Sequence, residues 1–400
     1  MQDAAIRVAG WPNLAIGNAV RILQLISSAG YYGAEAVATS LSLELGKLGH
    51  EVVLGIFENS HNPHLEIAGK AREHNLALEI IRCQGKMDRK AIHAVRRCVA
   101  EHHIDVMHTH GYKSDLYGIA AASRLRVPVV ATCHNWTGAS LPLRLYSILD
   151  RAVLHRAQHI AAVSEQVRRK LVQFAIPKAK IRVIANGVAI DSFRNARPAL
   201  REEFGLDQRP VVGVVGRLSS EKGHRFLLHA AQQLAADFPD IAFLFVGAGT
   251  EQAALESLAR RLNLTERIFL AGFRDHMPDV YASMDILALP SLKEGSPLVL
   301  LEAMAAALPV VATKVGDVGK IVVSGDSGLL VEPGNPQALR DALARLLADP
   351  GFRRRLAAGG QRCVAEHFSA ASMAQKYVHM YEDALGCALA PSERTEPAAV

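Results

Sequence analysis

DILALPSLKEGSPLVLLEAMAAALPVVAT, residues Asp285–Thr313, holds two short apolar runs, DILALPS and PVVAT, on either side of a longer and nearly uncharged stretch. The short runs have the length and Val, Ile and Leu content of strands buried on both faces, and the stretch between them has the length of a helix. Strand, helix and strand in so few residues make a parallel βαβ unit, because a hairpin needs no helix and a parallel pair needs a crossover. Ser296 and Pro297 read as the helix N-cap and first helical residue.

The pattern repeats outward in both directions. Around that unit lie VVGVVGRL, IAFLFVGAG, IFLAGF and GLLVEP, and before them RILQLIS, EVVLGIF, LALEII, DVMHTH, PVVATCHN, HIAAVSE and IRVIANG, with helical stretches such as AEAVATSLSLELGKLG and DRKAIHAVRRCVAEHH between. The polar segment Arg194–Pro210 separates the two series and is the expected linker. The fold class that follows is α/β, with two Rossmann-like, doubly wound parallel-sheet domains: residues 1–193, then residues 194–368. A helix at 369–386 has no strand of its own, and 387–400 reads as a polar tail.

Composition agrees with a packed two-domain chain. Of 400 residues 50% are hydrophobic and 21% charged, which is far from the balance of disordered sequences. The first segment carries Asp3 and Pro12 without a continuous apolar core, and no apolar run is long enough for a membrane span, so a cytoplasmic location is expected. The five cysteines are scattered without metal-ligand spacing and are expected to be free thiols. Residues 1–190 carry 23 Lys and Arg against 14 Asp and Glu, which suits an anionic acceptor or membrane surface. No nucleic-acid motif accompanies that surplus, and no nucleic-acid partner is expected.

Glu302 is the only charge between Ser296 and Thr313. A carboxylate in so apolar a helix requires a partner, either a neighbouring Arg or Lys or a ligand hydroxyl pair lying along the helix start. Glu294 precedes it on the loop after a parallel strand, where open α/β sheets bind ligands. The first helical amides, at Leu298 and Val299, lack intrahelical acceptors and suit a diphosphate. In VVGRLSSEKGH, Arg217 and Lys222 flank a turn between strand and helix and form a second diphosphate candidate. FVGAG contributes Gly247 but lacks the third glycine of a dinucleotide fingerprint. In the first half, Gly30 and Gly33 follow the first strand, and HTHG and CHN bring His108, His110 and His134 towards strand ends. Each of these taken singly is also what an ordinary turn, surface loop or packed core would contain.

Taken in order, YYGAE, the His of CHN, AVSE, NGVAIDSF, VGRLSSEKG, FVGAG and EGSPLVLLE resemble the family 4 retaining glycosyltransferases of the GT-B fold. The resemblance runs from about Arg21 to Gly386, and EGSPLVLLE carries the family's two glutamates separated by seven residues. The tyrosine pair departs from the commoner double-glycine start of the first loop. The resemblance implies a central cleft between the domains and a C-terminal helix crossing back to the first. It implies that Arg217 and Lys222 hold the donor diphosphate, that Glu302 bonds the ribose, that Glu294 and His134 stand at the reacting sugar, and that Gly33 belongs to a loop over the phosphates.

The expected activity is therefore transfer of a hexose-type sugar, with retention, from a nucleotide-diphosphate sugar to a polysaccharide or lipid-linked glycan. No DxD triplet is present, so neither metal nor other cofactor is expected. A nucleotide-sugar epimerase or phosphorylase, a dehydrogenase, and a non-catalytic sugar-nucleotide-binding scaffold are the competing readings on this architecture. An amphipathic basic stretch with Arg144, Arg151 and Arg156, followed by Arg168, Arg169 and Lys170, fits either a core-facing helix with a solvated basic face or peripheral attachment to the inner face of an anionic membrane.

Overall fold

The computed structural model describes residues 19–28, 30–60, 64–85, 88–134 and 152–386. The chain divides into two compact units. The first takes the described residues up to Val163, then Val167–Ile184 and the chain from Ala374, and the second takes Ser164–Gln166 and Ala185–Met373.

In the first unit, strands β1 (Arg21–Ile26), β2 (Glu51–Asn59), β3 (Ala77–Cys83), β4 (Val106–His110), β5 (Val129–Cys133), β6 (His159–Ala162) and β7 (Ile181–Val183) form one sheet in the order β3-β2-β1-β4-β5-β6-β7. Every pairing is parallel. Helices cover both faces. Leu23 and Leu25 of β1 join a core with residues of the helices Arg89–Glu101 and Tyr112–Ala122. Ile26, Leu54 and Ile56 pack with residues of Gly33–Lys47 and Glu66–Glu73. Burial on both faces is why these strands read as mainly apolar runs rather than alternating ones.

The second unit repeats the plan with β8 (Val211–Val215), β9 (Ala242–Val246), β10 (Ile268–Gly272), β11 (Ile286–Leu289), β12 (Val310–Thr313) and β13 (Leu329–Val331), in the parallel order β10-β9-β8-β11-β12-β13. Val211 and Val215 enter one core while Val212 and Val214 enter the other. The two doubly wound parallel sheets read from the sequence are present, and each expected strand falls on an observed one, within a few residues at its ends.

The chain passes into the second unit at Ala185, ahead of the compositional shift at Arg194. The residues between are tied to the second unit. Asn186 Nδ2 donates to the Ser296 carbonyl at 3.3 Å, the Val188 amide donates to Phe368 at 2.9 Å, and Phe193 packs on Tyr281. A β-carbon on Gly187 would meet the Ser369 carbonyl at 2.6 Å, so this approach needs glycine. Composition marks where the chain becomes polar, whereas these contacts mark where it changes core. The last helix, Ala370–Ala384, lies close to its expected bounds, and the first unit holds it from Ala374 onward.

Arg144, Arg151, the tail at 387–400 and Cys387 lie outside the described residues. Cys83, Cys98, Cys133 and Cys363 are free thiols. No helix among the described residues is long and apolar enough to cross a membrane. The basic run Arg168–Lys170 lies on the helix Glu165–Gln173, which buries Val167 and Leu171.

Candidate active site

In each sheet the strand order reverses beside its first strand, between β1 and β4 and between β8 and β11. Connections leave such a point in opposite directions, which opens a crevice at the carboxyl ends of the strands. In the second unit Arg217 and Lys222 follow β8, and Glu294 and the helix Leu298–Ala305 follow β11.

Lys222 Nζ lies 2.8 and 3.0 Å from the two oxygens of Glu294, and Ser291 Oγ donates to Glu294 Oε1 at 2.6 Å. The Glu294 side chain is 7% exposed. Its loop is clamped on two sides. Leu292 N–H donates to the Glu221 carbonyl at 2.8 Å, Thr313 Oγ1 donates to the Ser291 carbonyl at 2.5 Å, and Asp317 N–H donates to the Gly295 carbonyl at 3.2 Å. Gly223 (φ +67°) and Gly316 (φ +55°) lie so close that a β-carbon on either would stand 2.1 and 2.0 Å from the carbonyls of Pro290 and Glu294. Left-handed backbone and close approach together demand glycine at both places. These contacts hold the loop in place.

Arg217 is exposed, and although its carbonyl accepts from the Ser219 amide at 2.8 Å, its side chain makes no hydrogen bond or ion pair among the described residues. Gly247 (φ +136°) ends β9 with its α-carbon against Gly216, where a β-carbon would meet the carbonyl at 2.0 Å. Packing of two strand ends already accounts for this glycine.

The helix begins at Leu298 with Pro297 as its N-cap, one residue later than Ser296 and Pro297 were expected to set it. Pro297 stands at the N-cap with extended ψ, and no side chain caps the helix. Leu298 and Val299 remain in the first turn, where backbone amides lack intrahelical acceptors.

Glu302 is half-buried, one turn further on. Its partner is neither Arg nor Lys but Tyr281, whose hydroxyl donates to Glu302 Oε2 at 2.7 Å. Burial raises the Glu302 carboxyl to about 7, and the Tyr281 hydrogen bond offsets only part of that rise. The residue is therefore an acid poised near neutrality that gains from any further donor.

In the first unit Gly33 opens the helix Gly33–Lys47 behind Tyr32, and a β-carbon there would meet nothing within 4 Å. His134 follows β5 as a half-buried residue, 3.1 Å from His110 through Nε2 and stacked on that ring at 5.4 Å. Burial lowers His134 to about 4, which keeps it neutral. His108 is interior rather than ligand-facing. Its Nδ1 pairs with Tyr381 Oη and its Nε2 with Thr132 Oγ1, each at 2.7 Å, while Thr132 also meets Tyr377 Oη at 2.8 Å. This polar network joins β4 and β5 to the last helix.

Sequence reading missed Tyr281, Ser291, Thr313, Gly223 and Gly316. Gly223 carried a usable signal, a glycine ending a polar turn next to a lysine. Tyr281 carried none, because nothing in its own segment points to Glu302. No cluster of three or more potential metal ligands occurs among the described residues.

Comparison with known proteins identifies both halves. Residues 31–192 match the family described as Glycosyltransferase Family 4, and residues 196–362 match Glycosyl transferases group 1. The chain is 31% identical over 305 residues to a D-inositol 3-phosphate glycosyltransferase of Xylanimonas cellulosilytica, covering 70% of this chain and 72% of that protein. It is 30% identical over 287 residues to a GDP-mannose-dependent alpha-(1-6)-phosphatidylinositol monomannoside mannosyltransferase of Mycolicibacterium smegmatis, covering 66% and 72%. The solved structure of Anabaena HepE with UDP superposes with a TM-score of 0.78 at 23% identity, over 91% of this chain and 100% of the other, which shows a shared fold. With two Rossmann-like domains and relatives of this kind, the chain belongs to the family 4 glycosyltransferases and is an enzyme of the GT-B fold.

Proposed function

We propose that this glycosyltransferase moves a hexose-type sugar, with retention, from a nucleotide-diphosphate sugar to a glycan or lipid-linked acceptor, and that it does so without a metal. The observation that carries the reading is the grouping of Arg217, Lys222, Glu294 and the Leu298 helix start after the two central strands of the second sheet.

Breaking the bond between anomeric carbon and phosphate puts negative charge on the leaving diphosphate and oxocarbenium character on the sugar. Fixed donors aimed at that charge are the largest stabilisation available to such a site. Lys222 has three N–H donors and Glu294 occupies two of them at most, so one remains for phosphate. Arg217 offers its fork, and the amides of Leu298 and Val299 complete the anion site. Glu294, already fixed by Lys222 and Ser291, keeps lone pairs for sugar hydroxyls, and Glu302 accepts from the ribose diol. His134, neutral and partly open, faces the reacting sugar in this reading. Attack on the face that the phosphate leaves, with that phosphate taking the acceptor proton, gives retention.

The acceptor reading rests on relatives whose names include phosphatidylinositol monomannoside and inositol phosphate, and on the basic surplus of the first half. Incubation with a panel of nucleotide sugars and candidate acceptors, followed by detection of released nucleoside diphosphate and of the product anomer, tests the proposal. Binding without release in every pairing would favour a scaffold, and conversion of the sugar without transfer would favour an epimerase.

A further inference from the structure

Gln24 is the one polar residue between Ile22 and Ile26, on a central strand, and it is fully buried. A polar side chain there is costly without a partner. Its Oε1 lies 2.6 Å from His110 Nε2, and His110 Nδ1 lies 3.1 Å from His134 Nε2. His110 is itself buried, with its ring 4.2 Å from that of His108, which Tyr381 and Thr132 hold in place.

The donors along this row follow from chemistry. An amide oxygen only accepts, so His110 Nε2 carries the hydrogen. A neutral imidazole has one donor and one acceptor, so His110 Nδ1 accepts and His134 Nε2 must donate. Burial holds His110 well below its ordinary range and His134 at about 4, consistent with two neutral rings.

We infer that Gln24 and His110 are positioning residues that lock His134 in its Nε2–H tautomer and present Nδ1 as a bare acceptor to a substrate hydroxyl. The inference rests on the proposed role of His134 at the reacting sugar, although the tautomer itself is independent of that role. The Gln24 amide nitrogen has no partner in the interior. Turning that amide over would reverse every donor in the row and leave His134 protonated on Nδ1, with a donor where this reading has an acceptor.

Imidazole proton–nitrogen NMR correlations on the full-length, histidine-labelled protein decide between the two. The expected result is Nε2–H at His134 in the wild type and mixed tautomers in Gln24→Leu, which removes the fixed acceptor from His110. With an active donor and acceptor pair, Gln24→Leu should lower kcat by about tenfold or more while donor KM moves much less. Nδ1–H at His134 in the wild type, or an unchanged single tautomer in a folded Gln24→Leu, overturns the inference without any turnover measurement. The expected tautomers in a protein that transfers no sugar would instead count against the proposed function and leave the relay standing.

Discussion

Lys222 and Glu294, 72 residues apart in sequence, form a two-pronged ion pair with Nζ 2.8 and 3.0 Å from the carboxylate oxygens. The two residues that sequence reading assigned to separate tasks, one to phosphate and one to sugar, are thus mechanically a single unit. Arg217 has no such partner, and the difference separates the two cations experimentally.

Arg217→Ala and Lys222→Ala should each reduce turnover by about a hundredfold or more, the usual scale for removing one fixed donor from a developing anion. Only Lys222→Ala should also destabilise the fold, by about 1–3 kcal/mol, because it strands the buried Glu294 carboxylate. Adding Glu294→Gln to Lys222→Ala should return stability without activity. Thermal unfolding beside steady-state kinetics checks this, and equal stability of all three single and double variants would mean the pair has no structural weight.

Glu302, raised to about 7 from an ordinary 4.5, gives a pH signature of known sign. Ionising it disfavours the folded state, so its contribution to stability is full below the ordinary value and is lost as pH rises through about 7. A ribose diol donates to the ionised form, so donor affinity should fall as pH drops from about 8 to 6, with protons released on binding in that range. Tyr281→Phe should move the affinity loss to higher pH, and Glu302→Gln should abolish it. Calorimetry in buffers of different ionisation enthalpy reads the protons directly. Affinity that is flat with pH in the wild type would remove Glu302 from the donor.

Tyr381→Phe should destabilise the first unit by about 1–3 kcal/mol, since His108 Nδ1 then has no partner in a fully buried position. Tyr377→Phe should cost less, about 1 kcal/mol, because Thr132 still meets His108. Urea unfolding followed by a probe in that unit measures both, and the reverse ranking would contradict the network as described.

Transfer should persist in excess chelator, with Arg217, Lys222 and the helix amides meeting the diphosphate charge. Loss of activity on chelation, restored by magnesium or manganese, would replace the metal-free mechanism.

A lipid-linked acceptor predicts cosedimentation with anionic liposomes that weakens as salt rises and when Arg168, Arg169 and Lys170 are replaced together, each basic residue near such a surface being worth about 1 kcal/mol. Protein that stays in the supernatant at low salt would point to a soluble acceptor or another docking partner.

The sequence by itself determined the thirteen strands among the described residues and their parallel arrangement, since strands buried on both faces are mainly apolar and stand out from the amphipathic helices between them. It also singled out Glu302, through one charge in an apolar helix, and Arg217, Lys222 and Glu294, through their places after strand ends. Only the tertiary structure decided which groups meet. Tyr281 reaching Glu302, Lys222 gripping Glu294, Gly223 and Gly316 clamping the loop, Gln24 backing His110, and the last helix meeting β4 and β5 through Tyr377 and Tyr381 are all contacts between distant segments. Residue type limits what a side chain can donate or accept, but its partner is set by how the strands are ordered in the sheet. That order brings β1 beside β4, and β8 beside β11, across long stretches of intervening chain.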